Sequence, residues 1–398
     1  MAASLGASGH AKPGPAAMPD IAAASVVTWN LELDGGLRSS KPGFQCEAVM
    51  KLGPRIRKWS QEPPLSGTVA SLLKLDPGQD QAFANAILLR LGEAFKTGNN
   101  FLRCCILKVF LYELKGRKPA SEYRGLFTKE RLSQHVELLR RVKSVMDSGD
   151  TTARALSLRV LGCLAHIGRD SIDVQRLLLE ALESPHRLEV EAAYFAIGCF
   201  CDLSTSFATL ALEKILEISN AIRTTPPLRV GAIRLLGKMG ISPFLSHKAH
   251  EAGKHLMLRL PSRPIVSTTL IALTELADIS FVTRQDQVDL LFAYVSSEPR
   301  ASIRVLALKC LKKLAPKAIH CVDFGGKYSE VLLSLTGDRS IPPDLVKEIL
   351  QLLQQHDPSS SELKGSCLID NLEHVEDLYE SEGDYYEVQQ VGSEPMKE

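Results

Sequence analysis

The stretch SEPRASIRVLALKCLKKLA (297–315) contains the pattern that decides the fold. When its Arg304 is aligned with Arg154 of DTTARALSLRVLGCLA (150–165), large apolar residues coincide four, seven and ten positions later. Spacings of three and four residues place side chains on one face of an α-helix, whereas a half-buried strand alternates with a period of two. Both stretches are therefore predicted to be amphipathic helices of one repeated unit.

The same register recurs along most of the chain. Consecutive anchor residues from position 154 onwards lie 37 or 38 residues apart. Such a period accommodates two helices of about 12–15 residues joined by short turns. One helical hairpin cannot bury its apolar stripe alone, so neighbouring hairpins are expected to stack. The predicted anchors lie near residues 103, 154, 191, 229, 266, 304 and 342.

An earlier unit contains TGNNFLRCCILKVF (97–110), in which Arg103 occupies the anchor position. Gly98 is predicted to end the preceding helix in a left-handed conformation, since glycine adopts it without steric penalty. Asn99 or Asn100 is predicted to cap the next helix by accepting a bond from its free N–H groups. A still earlier unit is centred on FQCEAVMKLG (44–53).

The domain organisation follows from these repeats and from a shift in charge. We predict an all-α fold, a HEAT/ARM-like solenoid of about seven to eight helical hairpins, over residues 28–356. Residues 1–27, rich in Ala, Gly and Pro, are predicted to be a disordered leader.

Residues 357–398 hold 12 acidic and two basic residues, which leaves 34 acidic and 45 basic residues before them. This acidic tail is predicted to be largely disordered, either as a solvated end or as an interaction tail. Loop insertions are predicted near 61–80, a stretch rich in Pro, Gly and Asp, and near 115–128.

Composition narrows the class of protein further. Hydrophobic residues make up 45% of the chain and aromatic residues only 6%, which favours helix–helix packing over a β-sandwich. Nine cysteines occur without a C-x-x-C pair, a pattern that fits buried thiols in a reducing compartment. No apolar run reaches the roughly 18 residues of a membrane span, so no membrane contact is expected.

Candidate catalytic and metal-binding patterns are weak. His247, Glu251 and His255 are spaced by four residues and would share a helix face, as two imidazoles and a carboxylate of a metal site can do. We favour ordinary packing or solvent exposure for them, because the H-E-x-x-H motif is absent. No phosphate-binding loop or nucleophile elbow is present either. The sequence therefore predicts a protein that is not an enzyme and that holds no cofactor or metal.

The basic residues form a more regular pattern. Anchor arginines are expected to bind carboxylates between neighbouring units and form a structural ladder. Basic residues five positions later lie to the side of the apolar stripe and are expected to reach solvent as a row, interrupted by Ala196 and Ile271. This row is either a solvated face or a surface for an acidic partner or RNA phosphates. The ladder consists of Arg103, Arg154, Arg229 and Arg304, and the candidate partner-binding row of Lys108, Arg159, Arg234 and Lys309.

Several ordered motifs resemble the Integrator complex subunit 7 family. They are LDGGLRSSKPGFQCEAVMKL (33–52), LGEAFKTGNNFLRCCILKV (91–109), ARALSLRVLGCLAHI (153–167) and EVEAAYFA (189–196). The G-x-x-C-E-A-V (43–49) and G-N-N-F-L-R (98–103) runs carry most of the resemblance, which extends to about residue 350. Members of that family run much longer, so we expect a shortened form, distant from the animal members, such as a plant relative.

The resemblance implies a nuclear, non-catalytic scaffold subunit of the Integrator complex. It implies partners among the other Integrator subunits and the RNA polymerase II machinery, and a role in 3′-end processing of small nuclear RNA and in cleavage of nascent transcripts. Weak, non-specific RNA contact is compatible with the basic row, although no interleaved aromatic residues indicate sequence-specific reading. The alternative is a transport adaptor whose concave groove binds cargo peptides.

Overall fold

The structure of this chain is a computed structural model that describes residues 22–61, 79–114, 125–318, 327–335 and 341–354. The predicted all-α class is confirmed, because regular structure in these ranges consists of seventeen α-helices and short 3-10 turns. None of the described helices is both long and apolar enough to cross a membrane. The predictions for the acidic tail and for most of the two insertions fall outside the described residues.

The helices follow one another as hairpins of a first and a second helix. One extra turn, α7, extends the second helix of the third hairpin. In chain order the helices are α1 (Ala22–Leu37), α2 (Pro42–Gln61), α3 (Gln79–Thr97), α4 (Asn100–Leu114), α5 (His135–Lys143), α6 (Thr151–Cys163), α7 (Ala165–Gly168), α8 (Ile172–Glu180), α9 (Arg187–Cys201), α10 (Thr205–Asn220), α11 (Pro226–Arg234), α12 (Pro243–Arg259), α13 (Arg263–Ile279), α14 (Arg284–Ser297), α15 (Ala301–Ala318), α16 (Lys327–Ser334) and α17 (Pro343–Gln354).

The chain divides into two compact units, residues 1–245 and residues 246–398. In unit 1 the second helices α2, α4, α6, α9 and α11 each pack against the next one. The first helices α1, α3 and α5 pack in the same way. In unit 2 the second helices α13, α15 and α17 pack in order, and α14 contacts α16. Each unit is thus a stack of hairpins, as the repeat period predicts.

The first helix begins earlier than expected. α1 starts at Ala22, so the predicted boundary of the leader at residue 27 lies inside a helix. Alanine has the highest helix propensity, and Val26 and Leu33 are fully buried in unit 1. The ring of Trp29 in α1 also packs edge-on against Trp59 in α2, with centroids 6.5 Å apart. The Ala-rich composition led to a prediction of disorder up to residue 27, whereas the residues from Ala22 onwards form a helix that packs on α2.

The burial pattern follows the predicted register in most units and is shifted by one residue in α9. The residues four and seven positions after anchors 154, 229, 266 and 304 are all buried. In α9, however, the equivalent buried residues are Tyr194, Ile197 and Phe200, so the anchor is Val190 and not residue 191. The surface position in this hairpin is consequently Phe195, whereas Ala196 is fully buried. The anchor of α9 is hard to identify from the sequence because this helix carries apolar residues on several faces.

The turn between α3 and α4 is partly as predicted. The Asn99 side-chain oxygen accepts a hydrogen bond from the Leu102 amide at 2.9 Å, which confirms the predicted cap. The left-handed conformation predicted for Gly98 is wrong, since its backbone lies outside that region. Glycine is instead required for space, because a Cβ atom would lie 2.5 Å from the Ala94 carbonyl oxygen.

A second glycine sets the distance between two central helices. A Cβ atom on Gly162 of α6 would lie 2.9 Å from the Ala196 Cα atom of α9. Contacts this short with backbone atoms cannot be relieved by moving a flexible side chain. Gly162 therefore allows α6 and α9 to approach more closely than any other residue would allow.

Charges placed in the stacking interface should unfold the unit that receives them. Leu161 and Leu308 have no exposed surface. Leu161→Asp or Leu308→Asp would bury an unpaired carboxylate, and we expect each to lower the free energy of unfolding by several kcal/mol, on the order of 4 kcal/mol. Urea denaturation followed by circular dichroism measures this loss. Leu210→Asp is the matched control, because Leu210 is 54% exposed in α10; equal stability of all three variants would contradict the register.

His166 should make the stability of unit 1 depend on pH. Burial lowers the pKa of this side chain from 6.5 to about 4; Arg169 lowers it further, and Glu130 opposes the effect. The folded protein therefore holds neutral imidazole, whereas the unfolded chain binds a proton below about pH 6.5. This contribution to stability is complete above pH 6.5 and is lost as the pH falls towards 4.

We expect the substitution His166→Gln to flatten the fall in unfolding free energy between pH 6.5 and pH 4, the interval set by the shift. Denaturant titrations at several pH values measure that slope. His255→Gln, at an exposed position, serves as the control and should leave the slope unchanged. Parallel profiles for the unsubstituted protein and His166→Gln would show that His166 titrates normally in the fold.

Candidate functional site

The anchor arginine of the third hairpin ties two second helices together. Arg154 in α6 donates from Nη2 to the Glu189 Oε1 atom of α9 at 2.5 Å, and from Nη1 to the Ser148 carbonyl at 2.6 Å. The Glu189 side chain is only 7% exposed, and its other oxygen accepts from the Ser184 hydroxyl at 2.8 Å. This is the contact between units that the sequence predicts for the ladder.

The other anchor arginines bind differently. Arg103 donates to the carbonyls of Phe95 at 2.9 Å and of Lys96 at 3.1 Å, at the end of α3. Arg229 donates to the carbonyl of Ala221 at 2.7 Å, just after α10. Both guanidinium groups therefore lie at the negative end of the preceding helix, where they satisfy its last carbonyls. Arg304 is half-buried in α15.

Asp150 shows why Arg103 does not repeat the contact of Arg154. This carboxylate accepts from the Thr152 amide at 2.8 Å and so caps α6. Asn100, which donates to the other Asp150 oxygen at 2.5 Å, accepts from Arg103 at 2.9 Å and separates the two charges. An ion-pair ladder was expected; these residues form a mixture of one carboxylate pair and helix caps.

The basic row lies on the exposed face of the second helices. Lys108 in α4, Arg159 in α6 and Arg234 in α11 are exposed in unit 1, and Lys309 in α15 is exposed in unit 2. None of these four side chains makes a hydrogen bond or an ion pair with a described residue. In unit 1 the fourth member of this surface is Phe195, which takes the position predicted for Ala196.

An apolar groove of about 740 Å³ opens on the same face of unit 1. Its walls come from the second helices α2, α4 and α9. Four of its large side chains are well exposed, between 37% and 42%, namely Met50, Leu111, Tyr112 and Phe195. Lys108 supplies a positive charge at this apolar surface. We refer to it below as the second-helix groove, lined by Met50, Gly53, Pro54, Lys108, Val109, Leu111, Tyr112, Leu114, Phe195 and Cys199.

The close approach of α6 and α9 determines where the Phe195 ring lies in the second-helix groove. A Cβ atom on Gly162 would lie 2.9 Å from the Phe195 ring, so the ring occupies space left free by the missing side chain. Phe195 thereby reaches a groove whose other wall is α4. The Arg57 guanidinium of α2 lies 5.3 Å from the ring centre of Tyr112 in α4, a cation–π distance.

The cysteines are packing residues in the part of the chain that the structure describes. The seven cysteines within it are free thiols, five of them buried. Burial raises the pKa of Cys199 to about 12, and burial likewise raises the pKa of Cys163 and Cys201. A thiol must ionise to act as a nucleophile or metal ligand, so these groups are held in their unreactive form.

The structure brings together two of the three residues of the predicted histidine cluster. Ligand atoms of His247, Glu251 and Asp286 lie within 4.8 Å of one another, and the third member is Asp286 in α14 instead of the predicted His255. Glu251 already pairs with Lys254 at 2.5 Å, and that hydrogen bond is the main reason why its pKa is lowered. The lysine neutralises the carboxylate, so this solvent-facing cluster carries no metal assignment.

The sequence of this chain matches a known protein family over most of its length. The family described as Integrator complex subunit 7, N-terminal, matches residues 81–362. Integrator complex subunit 7 of Mus musculus is 34% identical over 290 residues, which cover 73% of this chain and 27% of the relative. The Homo sapiens protein of that name is 33% identical with the same coverage. The Dictyostelium discoideum homolog is 29% identical over 290 residues and is covered to 25%.

Two solved structures show partial likeness to this chain. Kap121p bound to Ste12p has a TM-score of 0.43 at 11% identity, over 83% of this chain and 34% of that one. An engineered protein has a TM-score of 0.35 at 14% identity, over 85% of this chain and 93% of that one. The stacked hairpins of each unit themselves define a helical-repeat protein of the HEAT/ARM type.

More specifically, the chain belongs to the Integrator complex subunit 7 family, as the match to residues 81–362 shows. It spans about a quarter of the length of the curated relatives that it matches. The resemblance drawn from the sequence motifs is therefore confirmed at the level of the family.

The different partners of the anchor arginines predict different energetic consequences. Arg154→Ala leaves the buried Glu189 carboxylate without its cation, and we expect it to lower the free energy of unfolding by about 3 kcal/mol. Arg229→Ala removes a bond to the half-buried carbonyl of Ala221, which is neutral, and we expect about 1.5 kcal/mol. Chemical denaturation of both variants measures the difference.

A double-mutant cycle supplies the control for this prediction. Adding Glu189→Gln to Arg154→Ala should restore part of the lost stability, because the unpaired charge is gone. Purely additive effects of the two substitutions would show that Arg154 and Glu189 are not energetically coupled.

Proposed function

We propose that the chain is a non-catalytic scaffold subunit of an Integrator complex. The family match over residues 81–362 carries this proposal. Its relatives in mouse, human and Dictyostelium are named as Integrator complex subunit 7 or its homolog. Through that complex the protein would support 3′-end processing of small nuclear RNA and cleavage of nascent RNA polymerase II transcripts in the nucleus.

The architecture supports a scaffold role in physical terms. Stacked hairpins bury their stripes against one another and leave the outer faces of every helix available along the stack. In the described part of unit 1, the second helices expose both unpaired cations and apolar side chains on one face. Exposed apolar clusters with a charged border are typical of protein–protein contact surfaces.

Affinity purification of the full chain from nuclear extract, followed by mass spectrometry, tests the proposal. We expect Integrator subunits and RNA polymerase II to co-purify with it. The matched bait carries Leu161→Asp, which disrupts the stack, and it should lose those partners while retaining nonspecific background. Recovery of transport factors and cargo in place of Integrator subunits would instead identify a transport adaptor and overturn the proposal.

The RNA-processing role has its own readout. Depletion of the protein in cells that express it should lengthen small nuclear RNA transcripts past their normal 3′ ends, and re-expression of the full chain should restore them. Re-expression of the Leu161→Asp chain should fail to do so. Normal 3′ ends after depletion would contradict the processing role, even for a protein that belongs to the complex.

A further inference from the structure

We propose that the second-helix groove binds a short acidic peptide segment of a partner protein. Large apolar side chains of the segment enter the groove, and its carboxylates pair with Lys108 and Arg159. This inference goes beyond membership of a complex, because it assigns a contact surface and the chemistry of its ligand. Peptide binding and co-purification are measured separately, so either can fail without the other.

The apolar walls are the first argument. Met50, Leu111, Tyr112 and Phe195 come from three different helices, yet all lie along one groove and remain between 37% and 42% exposed. Removal of apolar surface from water is favourable by about 25 cal/mol per Å², so a ligand that covers these side chains gains affinity. The volume of about 740 Å³ falls within the usual range for ligand-binding clefts.

Unpaired positive charge is the second argument. Several other cations of unit 1 have carboxylate partners, for example Lys129 with Asp170 at 2.6 Å and Lys214 with Glu183 at 2.6 Å. Lys108 lies in the groove, and Arg159 lies one helical turn before Gly162, over which the Phe195 ring packs. Neither of the two cations pairs with a described residue.

The nearby carboxylate at the end of α9 does not neutralise this surface. Asp202 follows α9 and is paired with Lys238 at 3.6 Å. A ligand that complements the groove therefore carries negative charge next to its apolar groups. An acidic segment with apolar anchors satisfies both requirements, in the manner of helices and strands that dock in apolar grooves.

The walls favour a peptide over a nucleic acid. Single-stranded RNA is held by aromatic rings that stack on successive bases and by polar groups that read base edges. Here the exposed walls include the aliphatic side chains of Met50 and Leu111, and the Tyr112 ring is engaged by Arg57. Phe195 and Tyr112 are two isolated rings among aliphatic side chains, which suit leucine or phenylalanine anchors better than bases.

Fluorescence polarisation with a synthetic probe tests the proposal on the full chain. The probe is a fluorescein-labelled, amphipathic helical peptide of about 18 residues with Leu and Phe along one stripe and Glu elsewhere. One control peptide replaces the stripe by Ser, and the other replaces Glu by Lys. We expect saturable binding of the probe, at least tenfold tighter than binding of either control peptide and weakened by salt.

Matched variants locate the binding surface. Leu111→Ser and Phe195→Ser shorten groove side chains, and the pair Lys108→Glu with Arg159→Glu reverses its charge. Thermal melting of each variant is measured alongside, and binding is compared between variants that unfold cooperatively. We expect each set to weaken probe binding at least tenfold. Leu210→Ser in α10 and Arg223→Glu, both exposed and outside the groove, should leave probe binding unchanged.

Three results would overturn the proposal. The first is probe binding that is equal in groove variants and control variants. The second is oligouridylate of about 20 nucleotides that binds more tightly than the probe and responds to the charge reversals but not to Leu111→Ser, which would make the surface a nucleic-acid site. The third is a dimer in analytical ultracentrifugation that Phe195→Ser dissociates, which would make a second copy the occupant.

Discussion

The packing of second helix against second helix is the constraint on which the structure of unit 1 depends. Each hairpin has one apolar stripe, and that stripe is buried only when the next hairpin covers it. The contact between α6 and α9 is the tightest example, since Gly162 brings the two backbones within the distance at which a Cβ atom would collide with Ala196. Arg154 and Glu189 then fix the same two helices by a nearly buried ion pair at 2.5 Å. Apolar burial supplies the driving force, and the ion pair adds geometric restriction.

The same constraint produces the surface that we associate with function. Every second helix buries one face against the neighbouring helices and leaves the opposite face exposed. The exposed faces of successive second helices therefore lie side by side along the stack. Residues five positions after the anchors therefore lie on a common surface, where Lys108, Arg159 and Phe195 are exposed. The missing side chain of Gly162 leaves room for the Phe195 ring, which becomes a wall of the groove. A packing requirement and a candidate binding site thus share one residue.

Much of this architecture follows from the sequence because helical periodicity is a local property. The spacing of Leu158, Leu161 and Leu164 after Arg154 predicts the buried stripe correctly, and the same spacing holds after Arg304. The motifs near Arg103 also indicate the family correctly. The register failed at α9, where Tyr194 and Phe195 are adjacent apolar residues and only tertiary packing decides which one is buried. Arg103 does not pair with the nearby Asp150, because Asp150 caps α6 and Asn100 lies between the two charges, a tertiary arrangement that helical periodicity does not report.

The sequence analysis missed the second-helix groove for a different reason. Its walls come from α2, α4 and α9, which are separated by many residues along the chain. In the sequence, Met50, Leu111 and Tyr112 each lie at the edge of the apolar stripe of their helix. The neighbouring sequence does not show whether such an edge residue is covered by another helix or remains exposed. A usable signal did exist: apolar side chains at surface positions of the repeat, beside the basic residues, predict a contact surface once the register is right.

Hydrogen exchange of the full chain, followed by mass spectrometry, tests the central role of helix stacking most directly. The substitution Gly162→Val would force α6 away from the Ala196 backbone without altering any residue of α9. If stacking holds unit 1 together, the amides of α6 and α9 should lose protection together in the variant, by similar factors. Faster exchange confined to α6, with α9 as protected as in the unsubstituted protein, would contradict the account.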